Sequence, residues 1–306
     1  MISERARGIA LGLAAVLSWA VYNIGASVGR AQGFTSADLT LLRYIGGGIA
    51  LIALILLRGA KPAGFTVSRV LLLTLFAGPP FALAITTGFA LAPLSHAVVV
   101  SPGVAMIVAA LLGIILNDDS ISPQRILGMA VLIVGLVLIA TKSGFQEGFA
   151  ASWRGDLCFV MSGSLWGLFT FVLGRWRLDA VTATAVITIA SSFFFIPYYF
   201  IFAEPAVESK PQWIMQLILQ GVLGGGLAVV FYVAAIRALG ASSAGLFPAL
   251  VPVASVVLAM PLRGQFISLQ EAMGVACAFA GMVIALMVLP NPGLKMSKLS
   301  SAAKAK

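Results

Sequence analysis

Apolar runs of about 20 residues recur along almost the whole chain, separated by short stretches that hold most of the charged residues. A helix of that length crosses the hydrocarbon core of a bilayer, which is about 30 Å thick. Charged residues make up only 9% of the chain, against about 25% in soluble domains, so the chain cannot cover a globule with a water-compatible surface. Because the bilayer core offers no water to exposed peptide groups, the runs are predicted to be helices.

Ten such runs lie between charged residues and Pro or Gly breaks. The connections between them are too short to form a separate domain. We therefore expect an all-α membrane protein with ten transmembrane helices. Their approximate limits are 8–28, 38–57, 70–91, 95–116, 124–141, 155–174, 181–202, 213–236, 241–262 and 270–289.

Basic residues are distributed unevenly between the two sides of this arrangement. If the N-terminus lies in the cytoplasm, 13 of the 19 Lys and Arg residues fall on the cytoplasmic side and 6 on the outer side, as the positive-inside rule requires. Both termini are therefore predicted to be cytoplasmic. The net charge of +9 is explained by these loop edges and a lysine-rich tail, so no nucleic-acid partner is expected. The short loops offer no surface for an obligate protein partner.

The second half of the chain echoes the first. Agreement at Trp, Pro, Gln and Gly positions over most of both halves argues against chance similarity between apolar strings. Pairs separated by 147 positions are Trp19 and Trp166, Tyr22 and Phe169, and Asn23 and Thr170. Pairs separated by 146 positions are Pro102 and Pro248, Gln124 and Gln270, Gly128 and Gly274, and Gly135 and Gly281.

Each repeat contains five of the predicted spans, an odd number, so the second repeat enters the membrane from the opposite side. The two halves are then related by a pseudo-two-fold axis in the membrane plane, the architecture of many secondary transporters. We expect a first repeat over residues 1–146, an inverted second repeat over 147–290 and a basic cytoplasmic tail over 291–306.

Several of these landmarks form a pattern known from one family. The chain resembles the EamA family of the drug/metabolite transporter superfamily in four features. They are a Trp in spans one and six, Arg43 near the start of span two, the stretch from Phe89 to Pro102, and Ser122 with Gly128. Within it the chain most resembles bacterial inner-membrane exporters of amino acids, including the YddG type. The resemblance implies export of a small metabolite across the bacterial inner membrane.

Acidic residues are confined to predicted loops and span edges. A carrier of drug cations would be expected to keep a carboxylate within the membrane, and a carrier of phosphorylated sugars a central Lys or Arg. Arg43, about one turn inside span two, and Arg237, at the end of span eight, are interpreted as snorkelling or helix-capping side chains. The remaining aromatic, hydroxyl and amide groups predict a small neutral or zwitterionic solute, such as an amino acid.

An enzyme within the membrane would need a nucleophile with a base, paired carboxylates or a metal cluster in the spans. Ser95 and His96 are neighbours in sequence, but adjacent helix residues do not face each other. We therefore predict no enzyme activity, no metal and no cofactor. His96 is the only histidine, at the external start of span four, and is either a proton-linked group or a solvated helix-end residue.

Two triplets of side chains are the main candidates for a substrate site. Trp19, Tyr22 and Asn23 lie at i, i+3 and i+4, so they share one face of span one near mid-bilayer, and their counterparts share a face of span six. The alternative is that they pack against neighbours or lipid, or join helices by hydrogen bonds. The substrate-binding candidates are Trp19, Tyr22, Asn23, Phe81, Ser101, Trp166, Phe169, Thr170 and Phe247.

Prolines are expected to interrupt three spans: Pro79 and Pro80 in span three, Pro102 in span four, and Pro248 in span nine. A proline within a helix frees the carbonyl four residues before it, which supplies a hinge or a polar group at a transport site, or else a tolerated kink. Phe81 directly follows the double proline and is predicted to face the pathway.

The sequence thus predicts a multi-pass secondary transporter of the bacterial inner membrane. It would export a neutral or zwitterionic metabolite, foremost an amino acid, by alternating access through a central cavity. The alternatives are export of other neutral metabolites or drugs, and a channel-like facilitator. The expected partners are the lipid bilayer and the small-molecule substrate.

Overall fold

The fold was analysed in a computed structural model, which describes residues 3–58, 64–92, 94–117, 121–142, 149–205, 207, 209–263, 266 and 268–287. Within these ranges every regular element is a helix. The predicted tail 291–306, the repeat boundary at 146/147 and the side chain of His96 lie outside the described residues.

The helices follow one another with short connections. In chain order they are α1 (Glu4–Ala31), α2 (Ser36–Arg58), α3 (Val67–Ala77), α4 (Pro79–Leu91), α5 (Leu94–Asn117), α6 (Pro123–Lys142), α7 (Phe149–Trp176), α8 (Ala180–Phe202), α9 (Lys210–Gln216), α10 (Ala228–Leu239), α11 (Ala241–Ala244), α12 (Val251–Arg263) and α13 (Leu269–Leu286). A π-helical segment, Leu217–Leu227, joins α9 to α10, and a 3-10 turn, Phe247–Leu250, joins α11 to α12.

Seven helical stretches among the described residues are long and apolar enough to cross a membrane. Each coincides with one of the predicted spans, and the remaining predicted spans lie in α2, α5 and α6. The outward faces carry large apolar side chains such as Ile115, Phe193 and Phe200, which are exposed. Such a surface is stable against lipid and not against water, so the chain is a multi-pass membrane protein.

Two of the long apolar stretches change their helical geometry at equivalent places. Gly78 separates α3 from α4, and Pro79 then occupies the first turn of α4, where its missing N–H costs no helical hydrogen bond. The π-helical segment contains Gly224, which follows Gly78 at the 146-residue offset found in the sequence. Irregular backbone within a membrane needs shelter from lipid, and both glycines are buried among neighbouring helices.

Glycines also allow the π-helical segment to lie directly against α2. A Cβ atom built on Gly221 would lie 2.5 Å from Gly46 Cα, and one built on Gly46 would lie 2.8 Å from the Leu217 carbonyl oxygen. Real Cβ atoms do not approach so closely, so the two backbones are in contact only because both positions lack a side chain. Gly46 and Gly221 thus serve close helix packing.

Backbone-to-backbone contact through glycines also joins α6 to α13, and these two helices run antiparallel. A Cβ atom on Gly128 would lie 2.4 Å from the Ala285 nitrogen, and one on Gly281 would lie 2.3 Å from the Leu132 nitrogen. These are two of the glycines that recur between the halves of the sequence. Their recurrence is explained by a shared helix contact, in which each half supplies one partner.

A glutamine side chain caps each end of the α6–α13 pair. Gln124 at the start of α6 donates from Nε2 to the Met287 carbonyl oxygen at 2.6 Å, beyond the end of α13. Gln270 at the start of α13 donates from Nε2 to the Leu138 carbonyl oxygen at 3.0 Å, near the end of α6. Each glutamine therefore satisfies a carbonyl near the end of the other helix.

The prolines differ in their local effect. Pro248 lies at the start of the 3-10 turn, whereas α5 continues through Pro102 without the expected interruption. The physical reason is the contact of α5 with α7: Ser101 Oγ and Ser162 Oγ are 2.9 Å apart, and a Cβ on Gly163 would lie 2.4 Å from the Ser101 carbonyl oxygen. These contacts offset the one hydrogen bond that Pro102 removes from α5.

We expect the Gly281→Ala substitution to destabilise the protein by about 1–3 kcal/mol, because the new methyl group collides with the backbone of α6. The measurement is thermal unfolding of purified protein in detergent. Gly103→Ala is the matched control, since a Cβ at Gly103 meets nothing within 4 Å. Equal melting temperatures for the two variants would contradict the close contact.

Candidate functional site

Trp19 of α1 and Trp166 of α7 contact each other inside the bundle. Their ring centroids are 5.4 Å apart at an interplanar angle of 78°, an edge-to-face arrangement, and each side chain is only 6% exposed. Tyr232 of α10 lies 5.2 Å from Trp19 and 5.6 Å from Trp166. Two tryptophans separated by the repeat offset thus meet in one buried cluster of rings. The aromatic cluster consists of Trp19, Phe81, Trp166, Phe169 and Tyr232.

Hydrogen bonds orient two members of the aromatic cluster, Trp19 and Tyr232. Trp19 donates from Nε1 to the Gly224 carbonyl oxygen at 3.3 Å, so the π-helical segment supplies the acceptor. Thr170 donates its hydroxyl proton to the Trp166 carbonyl oxygen at 2.8 Å. Because that hydroxyl has one proton, the 2.8 Å contact with Tyr232 must be donated by the tyrosine.

Arg43 lies beside the aromatic cluster and is buried, with 6% of its surface exposed. Its guanidinium carbon is 5.1 Å from the Tyr22 ring centroid and 6.0 Å from that of Phe81, within cation–π range. The hydroxyl groups of Tyr22 and Tyr44 are also close to it. Its Nε has no hydrogen-bond partner among the described residues.

The interpretation of Arg43 as a snorkelling side chain is therefore wrong. Arg43 follows Ser36, the first residue of α2, by seven positions, about 10 Å along the helix axis. At that depth α2 is covered by other helices: a Cβ on Gly225 would lie 2.4 Å from the Arg43 carbonyl oxygen. Arg237, in contrast, is exposed at the end of α10 and pairs with Asp179 at 3.5 Å.

No carboxylate in the described part of the chain forms an ion pair with Arg43. Asp38 is on the same helix and fully buried, but its carboxylate is already occupied. It accepts from the Thr35 nitrogen at 2.7 Å, from Thr35 Oγ1 at 2.8 Å and from the Tyr199 hydroxyl. Asp38 therefore caps the start of α2 and connects this helix to α8. The sequence placed Asp38 at the edge of a span and did not indicate this role.

A small cavity of about 10 Å³ lies between Arg43, Trp166 and α8. That volume holds one water molecule. Trp166 Nε1 makes no hydrogen bond of normal geometry, although the Tyr232 hydroxyl is its neighbour. Arg43 Nε also lacks a partner, and both residues line the cavity. Thr184 and Thr188 of α8 border it as well.

The threonine hydroxyls contribute acceptors. Thr184 donates to the Ala180 carbonyl oxygen at 2.8 Å, and Thr188 donates to the Thr184 carbonyl oxygen at 2.9 Å. Each hydroxyl proton is thus used within α8, and the oxygen lone pairs are left for another donor. Residues with donors, on α2 and α7, and residues with acceptors, on α8, thus line one cavity.

A larger groove of about 460 Å³ lies on the outer face of α8, between Phe193, Phe194, Ile196 and Pro197. Its lining side chains are all apolar, and it is a surface for lipid. The polar chemistry is at the aromatic cluster and the small cavity.

The other predicted site residues lie in different surroundings. Asn23 is exposed and takes no part in the aromatic cluster. Phe247 is fully buried against α1, where a Cβ on Gly12 would lie 2.3 Å from its ring. Ser101 is hydrogen-bonded to Ser162. Tyr22 is half-buried below the Arg43 guanidinium.

Sequence reasoning did not single out Tyr232, Tyr44 or the hydroxyls of α8. For Thr184 and Thr188 a signal was available: hydroxyl residues at i and i+4 mark one face of an otherwise apolar helix. Nothing comparable distinguishes Tyr232 from an aromatic residue that packs against a neighbour.

The model of the EamA-like transporter family matches residues 6–141 and again 153–287. The chain belongs to this family. An uncharacterized transporter of Archaeoglobus fulgidus is 26% identical over 168 residues, which cover 53% of the chain and 57% of that relative. The match thus spans little more than half of the relative's length. A solved structure described as the crystal structure of a protein is similar in fold, with a TM-score of 0.79, 19% identity, and coverage of 95% of this chain and 99% of that one.

Family membership places this membrane protein among the EamA-like transporters of the drug/metabolite superfamily. The polar groups described above are sheltered inside its helices. Titratable groups in the described residues do not form a cluster that could hold a metal ion.

We expect Tyr232→Phe to lower the free energy of unfolding by about 1 kcal/mol, because the buried hydrogen bond to Thr170 is lost. Tyr198→Phe is the control, since Tyr198 is 41% exposed on α8. The melting temperatures of both variants in detergent test this. A Tyr232→Phe protein as stable as the control would show that the bond contributes nothing.

Proposed function

We propose that the protein is a secondary transporter that exports amino acids with aromatic or other apolar side chains across the bacterial inner membrane by alternating access. The observation that carries the proposal is the contact between Trp19 and Trp166. These residues occupy corresponding positions in two family matches and meet in one buried cluster bordered by polar groups. A carrier built from two related halves places its substrate where the halves meet.

The proposed topology has ten spans, arranged as two inverted five-helix repeats over residues 1–146 and 147–290, with both termini in the cytoplasm. Support comes from the reciprocal contacts between corresponding residues. Gln124 and Gln270 each cap the other's helix, and Gly78 and Gly224 mark irregular backbone at the same offset. An approximate two-fold axis that passes near the two tryptophans accounts for both.

The site as described is closed. Its cavity of about 10 Å³ is far smaller than the roughly 300–1,000 Å³ of typical ligand sites, so an amino acid enters only if helices separate. In the proposed cycle α1, α7 and α10 move apart on one side and then on the other. The irregular backbone at Gly78 and in the π-helical segment supplies the points of bending, with Pro79, Pro80 and Pro248 at or near such breaks.

The surroundings of the cavity fit a small solute with one apolar part. The rings of the aromatic cluster offer faces and edges to an apolar side chain. The ring centroids of Phe81 and Trp166 are 4.9 Å apart. For His96 the two sequence-based roles stay open, a proton-linked group of the cycle or a solvated helix-end residue. A channel-like facilitator would keep a continuous pore, which the closed site does not favour.

Transport is tested with purified protein in liposomes against labelled amino acids. We expect saturable, counter-transported flux of phenylalanine or leucine, because alternating access moves one solute per conformational change. Conductance at channel rates would reject the carrier mechanism. Absence of flux for all twenty amino acids would reject the substrate class.

We expect Trp166→Ala to reduce this flux at least about tenfold, since the cluster loses its central ring and about 3–5 kcal/mol of packing. Trp153→Ala is the matched control, because Trp153 lies on the same helix but is 53% exposed. Flux is compared at equal amounts of monodisperse, reconstituted protein. If both variants transport equally well, the aromatic cluster is not the site.

The proposed topology is tested by a reporter fused after Lys306. We expect a reporter that is active only in the cytoplasm to be active, and one that is active only in the periplasm to be inactive. The reason is that ten spans return the chain to the side on which it began. A fusion within 32–35, between α1 and α2, should give the opposite pattern. A periplasmic C-terminus would contradict the inverted repeat.

A further inference from the structure

Arg43 carries a full positive charge in a position that the described chain does not neutralise. Its side chain is buried, its Nε lacks a hydrogen-bond partner, and its electrostatic neighbours are two tyrosine hydroxyls and two aromatic rings. Aromatic faces and hydroxyl oxygens compensate a cation only in part, because neither carries a negative charge. A buried cation of this kind is stabilised by an anion.

The acids of the described residues are engaged elsewhere. Asp38 holds three donors, and Asp179 is half-exposed beside Arg237. Glu271 accepts from the Ser268 nitrogen and hydroxyl at the start of α13. The remaining described acids are Asp156, which accepts from Ser152, and the exposed Glu4 and Glu204.

We propose that Arg43 binds the carboxylate of the transported solute, so that the protein selects substrates with one carboxylate next to an apolar body. This inference rests on the proposed transport function and names the group that the site recognises. A carboxylate is an acceptor with two oxygens, and two residues that line the same cavity, Arg43 and Trp166, each keep a donor without a hydrogen bond of normal geometry. A charge-assisted hydrogen bond from the guanidinium would be the strongest polar contact at the site.

The α8 residues that line the cavity fit the amino group of an amino acid. Thr184 and Thr188 have given their protons to α8 carbonyls, so their oxygens can accept from an ammonium group. Donors on α2 and α7 and acceptors on α8 match the two ends of a zwitterion. Ile187 and Val229, which line the same cavity, and the ring of Trp166 would contact the apolar side chain.

A phosphate ester fits this site less well than a carboxylate. A phosphate carries up to two negative charges and three acceptor oxygens, which calls for several cations or a row of N–H groups. Arg43 is the one cationic side chain among the residues that line the cavity. A single guanidinium matches a single carboxylate.

The experiment compares pairs of solutes in which the carboxylate is kept or replaced, by an amide in the first pair and by an ammonium group in the second. Wild-type protein in liposomes is given phenylalanine or phenylalanine amide, and 3-phenylpropanoate or phenethylamine. We expect transport of phenylalanine at least about tenfold better than of its amide, because the loss of a charge-assisted contact corresponds to one or two decades in affinity. Equal transport of acid and amide would overturn the inference.

Variants assign the effect to the arginine. We expect Arg43→Gln to raise the half-saturation concentration for phenylalanine about 10- to 100-fold and to abolish the preference over the amide. Arg43→Lys keeps the charge and should keep the preference. Arg237→Gln, which removes an exposed cation, is the matched control and should behave as wild type. A preference that survives in Arg43→Gln would overturn the assignment.

If Arg43→Gln does not yield folded protein, Trp166→Phe removes the second donor while keeping a ring, and the preference for acid over amide should fall. An unchanged preference then counts against the site. If wild-type protein carries no amino acid, the proposed function fails and the second solute pair decides: transport of 3-phenylpropanoate but not phenethylamine supports the carboxylate site, and any other result overturns it.

Discussion

The absence of water in the hydrocarbon core is the constraint on which the rest of this structure depends. Every peptide group within the membrane must be paired inside the protein, which is why the described elements are helices and why their irregular parts are enclosed. By the same constraint, each polar side-chain group inside the membrane needs a partner. Trp19 Nε1 is paired with Gly224 of the π-helical segment, whereas Trp166 Nε1 and Arg43 Nε make no hydrogen bond of normal geometry. Donors without such a bond at one place in such an interior indicate a place where something else binds.

Glycine determines where helices can approach and therefore which parts can move. The contact between α6 and α13 places backbone against backbone at both glycine pairs and is closed by a glutamine at each end. This pair is a rigid element. The contact of α2 with the π-helical segment is equally close, but there the helical geometry itself is irregular. A segment with mismatched hydrogen bonds changes its geometry at lower cost than a regular helix, and it lies directly against Arg43 through Gly225.

Much of the fold follows from patterns that need no tertiary information. Apolar length locates the helices, and the 146- and 147-residue offsets identify Trp19 with Trp166 and Gly128 with Gly274 before any contact is known. The site was predictable to the extent that it uses these landmarks. Arg43 was not, because a charge near a helix end is solvated or buried according to which neighbour covers it, and the covering contact at Gly225 is 182 residues away in the chain. The place of Tyr232 in the aromatic cluster and the continuation of α5 through Pro102 likewise depend on packing between residues far apart in the chain.

The unpaired charge also bears on how such a carrier moves. A ligand shifts a conformational equilibrium only by its difference in affinity for the two states. In the closed state Arg43 is removed from water and leaves one donor unsatisfied, which costs free energy, whereas an open site would admit water to the guanidinium. A bound carboxylate removes much of that cost in the closed state and little of it in the open one. The solute would therefore favour closure, and the protein without solute would favour an open form. A single buried arginine thus couples recognition of the solute to the step that carries it across.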